Sequence, residues 1–362
     1  MKVLCDTIQN SQVMKKIIAL STAILVALIS NATIHIVNNT IGQDADFTSI
    51  VSAVSAATAG DTLYIQPSAT TYGDVSINKQ LFILGAGHNP EFSIYASTLG
   101  VVTFQSGSSG TILKGCAIYM LFGTIYNTSN DVIVSGCWIS AQNPTNFSQG
   151  TWNNWTFEGN IFTSQSNGIN MSSFGSNIVF RNNILHTFAG GQIFSNSSNN
   201  QLFENNIFMC TDNTTFNSLL SNSNGAILRN NIILTTIAQG TNVANGCTSC
   251  VWENNVTYNP YISFADLPGT NNLNNTNPDF VNVPLVNVNF SYTKDYHLNP
   301  GSPLIGVGTD GSEIGLYGGV YPFRNDGIDN TLPRIKTVTP LTSTAPPGGV
   351  LQVNLKAAAA GN

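Results

Sequence analysis

Charge is scarce in this sequence: 12 Lys and Arg and 18 Asp and Glu in 362 residues, with a net charge of -6 and a pI near 5.0. No stretch gathers the basic residues of a nucleic-acid binder or of a protein that grips a strongly anionic polysaccharide. The four histidines, His35, His88, His186 and His297, show no metal-ligand spacing, and no metal or cofactor is expected. Long apolar runs are also lacking. The run Ile17 to Ile29 is too short for an ordinary membrane span. It follows Lys15 and Lys16 and precedes Ser30-Asn31-Ala32, the pattern of a secretory signal peptide with Met14 as its start. Residues 1–32 are therefore expected to be upstream residues and signal peptide, and the rest to be secreted, extracellular or at the cell surface.

What the sequence does have is repetition. WTFEGNIF, IVFRNNIL, QLFENNIF, AILRNNII and CVWENNVT place Glu158, Arg181, Glu204, Arg229 and Glu253 at one position, alternating in sign. Each follows a large apolar residue (Phe157, Phe180, Phe203, Leu228, Trp252), and these anchors are 23, 23, 25 and 24 residues apart. Val134 and Leu113 extend the series backwards at spacings of 23 and 21. Such a period marks stacked supersecondary units, and short alternating runs separated by Asn-rich turns mark strands instead of helices. Stacked coils put each residue about 4.8 Å from its counterpart. Glu then lies against Arg, and Asn160, Asn183, Asn206, Asn231 and Asn255 form a ladder of amides, in a residue type that also tolerates a left-handed turn.

These segments resemble the right-handed parallel β-helix proteins of the pectate lyase-like superfamily, in particular the secreted ones of Bacteroidota-type bacteria. FTSIVSAVSAATAGDTLYIQPSATTYGDVSINKQLFILGAG is similar to that family's N-terminal cap, and YHLNPGSPLIGVGTDGSEIGLYGGVYPF to its closing coils. The resemblance implies an all-β solenoid over residues 33–323, capped by a helix at 47–59 and closed by coils at 295–323, with a linker and hairpin-like tail at 324–362. In the helix Asp46 is the expected N-cap, Phe47, Ile50, Val51, Val54 and Ala57 the buried face, and Gly60 the stop.

The superfamily hosts lyases, hydrolases, adhesins and structural proteins, so function must come from residues. Lyase chemistry, as the resemblance implies it, needs clustered carboxylates around calcium and a Lys or Arg base. Of the eight charged residues between Leu113 and Tyr258, Lys114 and the five-member ladder share one column, leaving Asp131 and Asp212. Calcium wants six to eight oxygen ligands. Paired acids for glycoside hydrolysis are lacking as well, and Arg334-Ile335-Lys336, which matches a hydrolase motif of the family in letters, follows the closing coils. A groove joining Asp131, Asp212 or Glu91 to a Lys or Arg would argue for chemistry. Trp152, Phe147 and Tyr126, in connections between strands, are the candidates for stacking on a sugar, with the foot of a loop as the plainer role.

Cys116 and Cys137 occupy the ladder position of two early coils and read as unbonded packing. Cys250 reads as core, with a local bridge to Cys247 open. Two apolar rows, Ile133, Thr156, Val179, Leu202, Ile227, Val251 and Trp138, Ile161, Ile184, Ile207, Ile232, Val256, flank the charges. Whichever faces outward forms a contact stripe. In the tail, Leu351, Val353 and Leu355 alternate with polar residues as in a strand with one buried face, and an isolated hairpin is marginal in water. The sequence therefore points to a non-catalytic structural or adhesive β-helix whose tail strand either caps its own solenoid or links copies into a homo-polymer, with a surface partner as a further candidate. The alternative is a carbohydrate-active, polysaccharide lyase-like enzyme or sugar-binding module acting on an extracellular polysaccharide.

Overall fold

The computed structural model describes residues 32–328, 334–340 and 353–358, apart from short stretches at 125, 142–143, 148–149, 165–168, 172–173, 188–193, 196–200, 212–218, 237–242 and 287. The signal-peptide call lies outside the described residues, and no described helix is long and apolar enough to cross a membrane. The chain is an all-β parallel solenoid. One sheet stacks ten strands from Ile34–Val37 to Val251–Glu253, all parallel. A second stacks strands from Val75–Ile77 to Val256–Tyr258, and a third comprises Ile169–Asn170, Phe194–Ser195 and Leu220–Ser221. The register is the one the repeat dictates: Phe157 lies beside Phe180, Phe180 beside Phe203, and Glu158 beside Arg181 beside Glu204. The anchor rings fill the core, Phe157 on Phe180 at 4.5 Å between centroids and Phe180 on Phe203 at 5.6 Å.

The two asparagines of each Asn-Asn step divide the work. The first takes the left-handed bend: Asn182, Asn205, Asn230 and Asn254 have φ between 52° and 56°, where earlier coils use Gly115, Gly136 and Gly159. The second is the buried ladder. Asn183 Oδ1 accepts from both the backbone N–H (2.8 Å) and the amide of Asn160 (3.1 Å), while Asn160 Nδ2 also donates to the carbonyl of Val134 at 2.8 Å. The same three bonds recur through Asn206, Asn231, Asn255 and Asn272. Cys137 heads the stack, its N–H donating to Asn160 Oδ1. Cys116 and Cys137 are unbonded, while Cys247 and Cys250 form a disulfide with Cα atoms 5.9 Å apart.

Both ends of the stack are covered by the chain itself. The cap helix runs Ile50–Ala56 with Ser49 as N-cap, not Asp46, because Asp46 is drawn to the first strand, accepting from Ile36 N–H at 2.7 Å. Ile50, Ala53 and Val54 are buried, but Val51 is 58% exposed, since so short a helix touches the core with little more than one turn. Phe47 bridges Val37 and occupies the first strand's edge. At the other end Thr270 and Leu273 bridge Glu253 and Val256, while Phe264 and Leu267 plug the core.

Residues 280–328 depart from the expected closing coils. They do not stack; they return along the flank as a strap. Asn254 donates to the carbonyl of Val307, Asn230 exchanges two bonds with Thr309, and Asn182 donates to the carbonyls of Leu316 and Gly318. Gly327 closes against Gly115 and Gly136, where an added Cβ on either glycine would meet strap backbone at 2.7 and 3.2 Å. Val283, Val288, Tyr296, Leu298, Ile314 and Leu316 bury the outward row Ile161, Ile184, Ile207, Ile232 and Val256. This row is therefore an internal contact and not the expected partner surface. The other row stays half-buried, with Val251 50% exposed. Beyond the strap, Arg334–Pro340 and Val353–Ala358 pair antiparallel with each other, and no described strand of the solenoid pairs with them.

The ladder sets a quantitative expectation. Asn206→Ala would leave the Asn183 N–H, the Asn183 amide and the Phe180 carbonyl without partners, at about 1–3 kcal/mol each before relaxation. Urea unfolding is expected to show a loss of about 3–5 kcal/mol. A loss below about 1 kcal/mol would mean the column is not stability-determining.

Candidate functional site

The charge column resolves into discrete pairs. Arg181 donates through Nη2 (2.7 Å) and Nε (3.1 Å) to one oxygen of Glu158, and Arg229 through Nη2 (2.7 Å) and Nε (2.9 Å) to one oxygen of Glu204. Each Arg thus reaches back one coil. Arg181 is held from the other side by the strap, its guanidinium lying 3.4 Å from the centroid of the Tyr321 ring, a cation–π contact. At the head of the column Ser135 separates Lys114 from Glu158.

That interruption opens a cleft of about 210 Å³ between column and strap, lined by Lys114, Ser135, Glu158, Tyr321, Arg324 and the turn glycines Gly136 and Gly159. It brings a carboxylate to two cations, the signature sought at Asp131, Asp212 or Glu91. Its ions are already engaged: Glu158 by Arg181, and Arg324 by Asp326 at 2.9 and 3.3 Å. Asp131 instead accepts from Asn154 Nδ2 (2.7 Å), and Asn154 from Asn177 Nδ2 (2.9 Å), so it heads a second, exposed amide ladder. All three residues are left-handed. Their 23-residue spacing was visible in the sequence but was masked by the stronger charge signal. Glu91 only bonds locally, its N–H to Asn89, and Asp212 lies outside the described residues. Among the described residues no three His, Cys, Asp or Glu come together as a metal would require.

Two of the three sugar-stacking candidates are core. Trp152 is fully buried and Phe147 nearly so, edge-on to one another at 5.2 Å and packed against Trp155. Their connections fold inward because so large an apolar area gains more from burial than from solvent exposure. Tyr126 alone is presented to solvent, at 84% exposure. Arg334, Ile335 and Lys336 sit in the terminal hairpin, away from the stacked sheets' pairing. In that hairpin Val353 is exposed, Leu355 is in the same strand, and Leu351 lies outside the described residues.

A larger groove of about 530 Å³ lies on the second sheet where the strap does not reach. Val51, Asp74, Ser76, Val101, Thr103, Met120 and Phe122 line it. Apart from Val51, the sequence reading missed these residues, because the early coils lack the repeat motif; the alternation in Val75–Ile77 was the available signal.

Burial governs the buried thiol of Cys137 and two buried histidines. It pushes the Cys137 thiol up to about 12, leaving it a poor nucleophile. It lowers His88 and His186 to about 4, so both are neutral at physiological pH. His297 is stacked on Tyr317 at 3.7 Å and paired with Asp295 at 2.6 Å.

No family model matches the chain, and no curated protein matches it. Among solved structures, the pectin methylesterase of Aspergillus niger in deglycosylated form is similar at 12% identity and a TM-score of 0.38, covering 67% of this chain and 89% of that one.

Two substitutions check these assignments. Trp152→Ala is expected to cost about 3–5 kcal/mol of stability, and Tyr126→Ala less than about 0.5 kcal/mol. Arg181→Glu is expected to lose about 1–2 kcal/mol, from like charges and the lost ring contact. Adding Glu158→Arg should restore most of it and Glu204→Arg less, because the observed partner is Glu158. Urea midpoints of the double variants decide between the two pairings.

Proposed function

We propose that this chain is a secreted structural or adhesive β-helix, presented outside the cell and acting without a catalytic centre. The observation that carries this reading is how the charges are used. Every Arg of the solenoid column is bound to a carboxylate of the preceding coil, and the cleft beside that column is held by ion pairs. A reacting base or acid must instead be able to change its protonation or partner during turnover. Covered stack edges fit a rod that persists as a discrete particle. Self-association through the tail would use the hairpin, whose Val353–Ala358 strand pairs along one edge with Arg334–Pro340. The edge that pairs with no described strand and the exposed Val353 are the features that would accept a second copy.

A second reading, a polysaccharide-binding module, is favoured by the groove on the second sheet. There the Phe122 ring and Met120 lie beside the Asp74 carboxylate and the Ser76 and Thr103 hydroxyls, the mixture of apolar face and hydrogen-bonding groups that suits a sugar ring.

Three measurements test these readings. Incubation with pectate, alginate or chondroitin is expected to yield no unsaturated uronate by ultraviolet absorbance, and calcium chelation is expected to leave the melting temperature unchanged. Sustained calcium-dependent product would overturn the non-catalytic proposal. Saturable binding to a polysaccharide that Phe122→Ala abolishes would favour the second reading over the first.

A further inference from the structure

We infer that the strap is an acid-releasable cover, with His88 and His186 of the solenoid as its two catches. Both imidazoles are buried, and both are engaged by the same short stretch of the strap. The Phe290 N–H lies 3.5 Å from Nδ1 of His186, while the Tyr292 hydroxyl lies 2.7 Å from Nδ1 of His88. Nε2 of His186 meets the Thr211 hydroxyl at 2.9 Å. An Nδ1 that receives a backbone N–H must carry a lone pair, so this ring is neutral with its proton on Nε2. Protonation would turn the acceptor into a donor facing the Phe290 N–H, and would bury a charge.

The surrounding charges differ between the two catches. Lys294, on the strap, faces His186 and opposes its protonation in the closed state. Asp326, also on the strap and paired with Arg324, faces His88 and partly favours its protonation. Tyr292 contributes a hydroxyl to His88, and its ring stands edge-on to Trp138 at 6.0 Å. Beneath the strap lies the row Ile161, Ile184, Ile207 and Ile232, so release would turn a covered flank into an exposed apolar stripe.

The sign follows from linkage. Burial lowers both histidines in the closed state to about 4, below the ordinary value of 6.5. Closure is thus favoured fully above pH 6.5, weakens as pH falls from 6.5 towards 4, and gains no further loss from these groups below that. At pH 5 each histidine is expected to raise the opening equilibrium about 30-fold over its value at pH 7.5, if the open state has ordinary histidines.

The test is hydrogen exchange of the full chain at pH 7.5 and 5.0, corrected for intrinsic rates, read at residues 288–298, together with binding of an apolar dye. Wild type is expected to open the strap at pH 5.0 and take up dye, while amides in Ile178–Arg181 and Gln201–Glu204 stay protected. His186→Asn, which keeps an acceptor near Nδ1 but cannot titrate, is expected to lose about 30-fold of the pH effect. His88→Asn should lose a comparable factor. Each variant is its own control, since only its ratio between the two pH values is read. Equal protection of the wild-type strap at both pH values would overturn the proposal, as would an undiminished pH effect in His186→Asn or simultaneous opening of the ladder strands.

Discussion

The structure depends on the hydrogen bonding of one buried column of side-chain amides. A coil that turns through a left-handed residue leaves an inward N–H and a carbonyl that the sheets cannot pair, and an unpaired buried group costs about 1–3 kcal/mol. Each ladder Asn answers both for its neighbouring coils. From Asn183 to Asn255 each oxygen takes two donors, Asn160 Oδ1 takes the Cys137 N–H, and each ladder nitrogen gives two. Satisfying one coil requires the next at the correct register, which is why the ladder carries specificity as well as energy. At its head Cys137 gives a weaker imitation, with its sulfur 3.7 Å from the Leu113 carbonyl.

Around that column the chain places a second layer. The left-handed Asn residues project outward and bind the strap, and glycine replaces them where the strap comes closest. The outcome is a solenoid whose apolar outer row on the second sheet is covered from within, whose charges are paired across coils, and whose second sheet carries an open groove at its early coils.

The same local rules explain where sequence reading reached. The charge ladder, the anchor column and the strand stacking were legible because residues one coil apart are contacts, and a contact at fixed spacing writes itself as a period. The strap was not legible. Its contacts join Asn182 to Leu316 and His88 to Tyr292, separations of 134 and 204 residues with no repeat. For the same reason the row Ile161 to Val256 looked like a docking face until its cover was seen. Trp152 and Phe147 sit in connections, where sequence offers no periodicity to tell an inward ring from an outward one.

Sequence alone determined that this chain is an all-β parallel solenoid and which side chains stack, because nearest-neighbour coil packing is periodic and local. Tertiary structure alone decided which Glu each Arg binds, which aromatic rings are core, which end residues close the stack, and that the final segment returns along the flank. Those outcomes follow from three-dimensional competition for buried area and unsatisfied polar groups among segments far apart in the chain, which no spacing along the sequence encodes.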